Sequence, residues 1–259
     1  CGAMSTVDFG KTAKDYGTHR AGFPPHLVER LQAFGVGTPG QTILDLGTGT
    51  GTLARLLAQA GADVTGLDPA SAMLDQARVL DEDAGVRVDY RVGRAEATGL
   101  PAAFFDAVTA GQCWHWFDRA AAAAEVRRLL KPGGRVAICH FDWLPLPGNV
   151  VAATEALILE HNPSWDLGGG DGTHPAWFAD LAGADFTDLE SFSFDVAVPY
   201  GHADWRGRIR ASAGVAASLT PDKVEAFDAA HAALLAKTFP EDPLAVPHRV
   251  CALVGRKPD

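Results

Sequence analysis

Three places in the chain hold residues whose types and spacing could do chemistry. In residues 43–52, ILDLGTGTGT, an apolar run carries one acid, Asp45, and Gly47, Gly49 and Gly51 follow at every second position. Glycines in such a stretch let the backbone turn tightly and let a ligand come close, because no Cβ intervenes. A second acid, Asp68, opens the run Asp68-Pro69-Ala70-Ser71. In residues 111–118, GQCWHWFD, a glutamine, a histidine and two tryptophans crowd together. Imidazole is the side chain whose ordinary pKa lies nearest neutrality, so His115 is a candidate base.

The glycine stretch can be matched to a ligand by charge. A dinucleotide loop needs G-x-G-x-x-G with the pyrophosphate on the helix N-terminus. Here the third glycine comes one residue early, and Thr52 stands where that pattern needs glycine. A carboxylate at Asp45 would repel a pyrophosphate but suits a ligand carrying an ammonium and a sulfonium. S-adenosyl-L-methionine is that ligand, with S-adenosyl-L-homocysteine as product.

With those residues in view, the segment resembles the glycine-rich cofactor loop of class I methyltransferases, in the small-molecule group called type 11. The likeness implies that Asp45, Gly47, Thr48 and Gly49 hold the cofactor, together with Asp68 and Pro69 roughly 20 residues on, where a ribose diol is expected. Asp68 before Pro69 is also a common helix N-cap, and its two oxygens could serve both roles. Met73 faces the adenine or fills core. Ala95 and Glu96 bracket the adenine ring by the same resemblance, although Glu96 reads equally as a solvated loop acid. Residues 112–117 resemble the Q-x-x-H-W-F/L stretch of the group, which puts Gln112 by the cofactor and His115 near the transferred methyl, or else makes His115 a structural histidine. Tyr16 and Arg20, four apart in a short helical leader, match a lid over the cofactor, or a leader that only packs on the sheet.

These residues need a scaffold. Leu53, Leu56, Leu57 and Ala60 recur at helical spacing straight after the glycines, so the motif reads as strand, loop, helix. Strands are expected over 62–67, 86–92, 105–110, 135–141, 186–198 and 248–255, with helices between them. Lys131-Pro132-Gly133-Gly134 should turn sharply between helix and fifth strand, and Asp118 should cap the helix before it. The implied fold is α/β: a Rossmann-like, seven-stranded, mostly parallel sheet with the last strand antiparallel and a helical cap or insertion. One domain is expected overall. Residues 5–142 would be the cofactor-binding core with its lid, 143–185 an insertion, and 186–259 the closing strands with cap helices. Gly168–172 reads as a hinge, and His231 as a core histidine.

All six tryptophans (114, 116, 143, 165, 177 and 205) follow the nucleotide-binding half. That placement points to a pocket for an aromatic or hydrophobic small molecule, walled by Trp114, Trp116 and Trp143 with His140, or to tryptophans that are partly cap core. His174 and His202 are further candidates for a base or clamp. His140 and Asp142 could ligate metal, but no third ligand has matching spacing, so none is expected. A net charge of −10 argues against a protein that neutralises many phosphates, hence against nucleic acid. Residues 1–3 before Met4 read as a remnant. The remaining cysteines, 113, 139 and 251, form no C-x-x-C. No apolar run nears the roughly 20 residues of a membrane span, so a bacterial cytoplasmic protein is expected. A nicotinamide oxidoreductase and a cyclase or binding module on this fold remain as alternatives. The oligomeric state is not legible.

Overall fold

The computed structural model describes residues 22–259, so Tyr16 and Arg20 lie outside the described residues. The elements in order are α1 (His26–Ala33), β1 (Thr42–Leu46), α2 (Thr52–Gln59), β2 (Asp63–Asp68), α3 (Ser71–Ala84), β3 (Asp89–Val92), β4 (Phe105–Gly111), α4 (Arg119–Leu129), β5 (Leu130–Trp143), α5 (Val150–His161), α6 (Ala176–Gly183), β6 (Thr187–Tyr200), α7 (His202–Arg210), α8 (Pro221–Thr238) and β7 (Leu244–Arg256). The seven strands form one sheet in the order β3-β2-β1-β4-β5-β7-β6. β1 to β5 pair in parallel. Gly133 and Gly134, early in β5, bond to Lys257 just past β7, while Leu144 just past β5 bonds to Pro247 early in β7. The last strand therefore runs antiparallel, as the fold class required.

The chain divides into two compact units, with the division falling inside β5, β6 and β7. One comprises residues 22–141, 174–194 and 250–259. Helix α6 packs with this unit: Trp177 and Leu181 join Leu44, Leu46, Val108, Val126, Leu129 and Ile138 in a single buried core. The β1 run reads as continuous apolar sequence because the strand is buried on both faces. On α2 the buried face is Leu53, Ala54 and Leu57, turned slightly from the expected one. The other unit comprises 142–173 and 195–249 and has its own core of Val150, Ile158, Tyr200, Trp205, Phe227, Leu235 and Val246.

Local chemistry explains most element ends. Asp118 caps α4 by accepting from the Ala121 amide at 3.2 Å, as its position predicted. Asn149 caps α5 through the Ala152 amide at 2.8 Å. Pro221 opens α8 at a first-turn position where its missing N–H costs nothing. The K-P-G-G segment differs from expectation. It lies inside β5 as an irregularity in register against β4, so that Phe105 faces Leu130 but Ala107 already faces Arg135. Pairing on both sides keeps the strand going through residues that in isolation would make a turn.

Candidate functional site

The carboxyl ends of β1, β2, β4 and β5 converge on the glycine loop. Asp45, one residue from the carboxyl end of β1, stands opposite Gly66 on β2 and Thr109 on β4. It is almost wholly buried. One carboxylate oxygen accepts the Thr109 hydroxyl at 2.6 Å and the other the Thr48 hydroxyl at 2.7 Å. Burial pushes the Asp45 carboxyl up to about 6, and the nearby Asp68 charge adds to the rise, against the pull of the two hydroxyls.

The loop itself is held from several sides. The Thr48 amide donates to the Leu67 carbonyl at 3.0 Å, and the Gly49 amide to Asp68 Oδ2 at 2.9 Å. Asp68 Oδ1 accepts from the Ala70 amide at 2.9 Å, so one oxygen ties the loop while the other holds the turn that leads into α3. Burial raises this carboxyl too, with both amides opposing. Two glycines are required by packing as well as by backbone. Gly47 has φ +57°, and a Cβ there would lie 2.8 Å from Cys113 Sγ. Gly51 has φ +77°, and a Cβ there would overlap the Tyr90 hydroxyl. Gly49 is different: its space opens toward Met73, whose methyl would sit 3.5 Å from a Cβ.

The Gly47 contact joins the two motifs of the sequence. Cys113 Sγ donates to the Leu46 carbonyl at 3.2 Å, and its thiol is driven well above the ordinary range by burial and by the two acids. Gln112 holds the left-handed conformation at φ +61°. Its backbone amide donates to the Cys139 carbonyl at 2.9 Å, and its side-chain amide donates to the Phe141 carbonyl, locking the tips of β4 and β5 together. Such a conformation costs on the order of 1–3 kcal/mol and persists only where surroundings enforce it. Trp114, His115 and Trp116 then form a single 3₁₀ turn.

Around that turn the rings cluster. His115 is exposed, and its ring lies 4.5 Å from Trp116 and 5.1 Å from His140. The buried His140 ring is 4.4 Å from His174, which stacks flat on Trp177 at 4.0 Å. Spacing along the chain concealed this partner, because α6 and the segment before it bring a second imidazole to His140 from a distant stretch. Neighbouring imidazoles can share a proton or a cation.

Several expected residues sit differently. Trp114 is wholly buried, packs edge-on against Phe117 and donates its indole N–H to Asp180 at 3.1 Å. It offers no surface to an acceptor and braces the loop instead. Trp116, by contrast, is 48% exposed. The Ala95 side chain belongs to the core, leaving only its backbone for a ligand. Glu96 accepts from the Asp118 amide at 3.1 Å and pairs with Arg94 at 3.6 Å, so it is more than a solvated acid. Pro69 is exposed, whereas Met73 is buried. Trp143 belongs to the other compact unit, where its indole N–H donates to Glu155 at 2.8 Å. Thr109, Cys113 and Tyr90 had not been singled out in the sequence. Thr109 is the one hydroxyl in its strand, a signal that becomes readable once its register opposite Asp45 is known.

Comparison with known proteins decides the family. A model described as "Methyltransferase domain" matches residues 44–138. The ubiquinone biosynthesis O-methyltransferase of Pseudomonas paraeruginosa is 44% identical over 156 residues, which cover 55% of this chain and 67% of that protein. The chain belongs to the class I S-adenosylmethionine-dependent methyltransferases. An uncharacterized methyltransferase of Mycobacterium tuberculosis is 36% identical over 133 residues, 51% of each chain, so this methyltransferase spans about half the length of the first curated relatives it matches. The phosphoethanolamine N-methyltransferase 2 of Haemonchus contortus, solved in complex with S-adenosyl-L-methionine, shares the fold with a TM-score of 0.58 at 20% identity, covering all of this chain and 61% of that one. No helix among the described residues is long and apolar enough to cross a membrane.

Proposed function

We propose that this methyltransferase uses S-adenosyl-L-methionine to methylate a small, hydrophobic or aromatic acceptor at an oxygen or nitrogen, by in-line displacement. The observation that carries the reading is the pair of buried acids at the loop. Asp45 and Asp68 accept only hydroxyl and amide hydrogens, and neither forms an ion pair among the described residues. A buried carboxylate without a counter-charge is costly, and the raised Asp45 pKa is that cost expressed as proton affinity. A cationic ligand would relieve it; a pyrophosphate would worsen it.

When bound, the cofactor supplies an electrophilic methyl on a positively charged sulfur. The residues of the chain would do the rest. The open side of Gly49 and the Met73 methyl would meet the nucleoside, with the spare lone pairs of Asp68 on a ribose diol. Gln112, pinned to the tip of β5, would hold the floor between cofactor and acceptor. Trp116 would give the acceptor an apolar face, and His115, with His140 and His174 behind it, would take the proton of the nucleophile. Positioning can supply most of the rate in such a displacement. The relatives favour the same cofactor, since the Haemonchus enzyme was solved with it.

Calorimetry with S-adenosylhomocysteine and a nicotinamide dinucleotide tests the cofactor. Binding of the first and not the second is expected, and the reverse overturns the reading. Labelled S-adenosylmethionine with a panel of phenols, amines and carboxylic acids then tests transfer. Cofactor binding without label in any acceptor across a broad panel favours a binding module or cyclase on this fold.

A further inference from the structure

Helix α5 buries Val150, Val151, Thr154 and Ile158. A second set, Ala152, Glu155, Ala156 and Leu159, recurs at i, i+3, i+4 and i+7 and so shares another face of the same helix. That face, with Trp165 and Asp166, lines a cleft of about 360 Å³. All of these residues lie in the stretch 142–173 of one compact unit. Two alanines on the helix keep the hollow from being filled by its own side chains, and Leu159 is left 44% exposed.

One carboxylate is sunk into this wall. Glu155 is only 7% exposed. Its Oε1 accepts the Trp143 indole N–H at 2.8 Å and its Oε2 accepts the Gly169 amide at 2.8 Å. Both donors are neutral, and among the described residues Glu155 forms no ion pair. The stretch around it offers no compensation: residues 142–173 include the acids Asp142, Glu155, Glu160, Asp166 and Asp171 and neither lysine nor arginine. A buried carboxylate held by neutral donors alone is costly. It presents about four lone-pair positions, and two donors leave the others open to a ligand.

The rest of the cleft is fixed in place. The Trp165 amide donates to the Asn162 carbonyl at 3.1 Å. A Cβ on Gly168 would lie 2.7 Å from the Trp165 ring and 3.3 Å from Glu155 Oε2, and one on Gly214 would lie 3.0 Å from the indole nitrogen. Both positions therefore need glycine for the ring to sit where it does. The glycine run that reads as a hinge in the sequence is at this end a wall, tied to the carboxylate through Gly169.

We propose that this cleft is a binding site for a small organic amine in its ammonium form. The ammonium N–H groups would take the open lone pairs of Glu155, with the exposed Asp166 adding longer-range attraction. The apolar body of the amine would lie against Trp165, Ala156 and Leu159, and an indole face favours a neighbouring cation. The volume stands near the lower end of ligand pockets, roughly 300–1,000 Å³, which suits one ring on a short chain. A bare calcium ion, which needs about six oxygen ligands or more, would meet apolar walls instead. Neither the cofactor nor the methyl acceptor enters this inference.

The test uses the full chain without cofactor at pH 7, followed by calorimetry and tryptophan fluorescence. The probes are phenethylamine, its neutral counterpart 2-phenylethanol and the anion 3-phenylpropanoate. Phenethylamine should bind saturably and shift tryptophan emission, with 2-phenylethanol at least about tenfold weaker, the size of one hydrogen bond to a charged group, and 3-phenylpropanoate weaker still. Glu155→Gln should weaken the amine by about 10- to 100-fold and leave 2-phenylethanol unchanged. Ala156→Leu, which fills the hollow from an exposed helix position, should weaken the amine at least about tenfold, and it decides the matter if Glu155→Gln does not fold by near-ultraviolet circular dichroism. If Glu155 only braces Trp143 against Gly169, amine and alcohol will bind alike, which overturns the proposal. Absence of a saturable response to phenethylamine, or equal binding of 3-phenylpropanoate, does the same. Undiminished amine binding by Ala156→Leu would place the amine elsewhere, as at the acids of the glycine loop, and would also overturn it. With no cofactor present, these outcomes are independent of whether S-adenosylmethionine binds or is consumed.

Discussion

Replacing Asp45 with asparagine removes the charge on which the cofactor argument rests while keeping the shape of the side chain. The wild-type carboxyl stands at about 6 in the folded protein against 3.8 for an ordinary aspartate. Below pH 4 both folded and unfolded forms are protonated, and the group is neutral in the balance. As pH rises from there, the unfolded chain ionises first, so stability is lost until the folded carboxyl ionises near pH 6. The full loss is about 3 kcal/mol, from roughly two pH units at 1.36 kcal/mol each. The amide of the variant does not titrate and carries no such penalty. One of the two threonine hydroxyls must turn to accept from that amide, at a cost of about 1 kcal/mol. Above pH 7, Asp45→Asn should therefore be more stable than wild type by about 1–2 kcal/mol, and below pH 4 slightly less stable. Urea melts of both proteins at a series of pH values read the difference. Taking the difference removes groups common to both, such as Glu125, which is held down to about 2 chiefly by Arg128 and so acts in the opposite direction at acid pH. The same variant should bind S-adenosylmethionine at least tenfold more weakly at pH 8, since a charge-assisted contact is lost. Parallel stability curves for the two proteins, or undiminished cofactor affinity in the variant, would refute the reasoning.

Four further outcomes are expected. Asp68→Ala should weaken calorimetric binding of S-adenosylhomocysteine by one to two orders of magnitude, roughly 1–3 kcal/mol, and an unchanged affinity removes the ribose assignment. Gly51→Ala forces a Cβ onto the Tyr90 hydroxyl at a positive φ and should lower stability by about 2 kcal/mol or more, whereas Gly49→Ala, with open space, should lose only about 1 kcal/mol; denaturant midpoints compare them. His115→Ala should slow turnover by about 10²-fold or more with cofactor affinity intact, and undiminished turnover removes the proton-acceptor role. Trp114→Phe should cost about 1–3 kcal/mol through the unfilled core and the lost bond to Asp180, yet leave acceptor KM unchanged, because no part of that ring is exposed.

Local signals were the ones legible in the chain. Strand, glycine loop and helix are adjacent in sequence, so the position of Asp45 and the spacing of Gly47, Gly49 and Gly51 could be read directly, as could the cap at Asp118. What escaped were relations fixed by pairing or packing. Lys131-Pro132-Gly133-Gly134 looks like a turn, and only its neighbours in the sheet make it part of β5. Trp114 and Trp116 are two residues apart and chemically identical, yet the 3₁₀ turn sends one into the core and leaves the other at the surface. His140 and His174 approach because α6 packs with the unit that carries the glycine loop, which no spacing rule reveals. Thr109 is the sharpest case. Its hydroxyl is half of what keeps Asp45 solvated in the protein interior, and from sequence it is merely a threonine in a strand. Acid and hydroxyl become a unit only through the register of β1 against β4. The consequence is chemical: the loop holds its carboxylate with hydroxyls that can release a lone pair to a ligand, and not with a lysine or arginine that would have neutralised it. A site preassembled in that way is stable enough to fold and still electrostatically unsatisfied, which is the condition a cationic cofactor requires of its host.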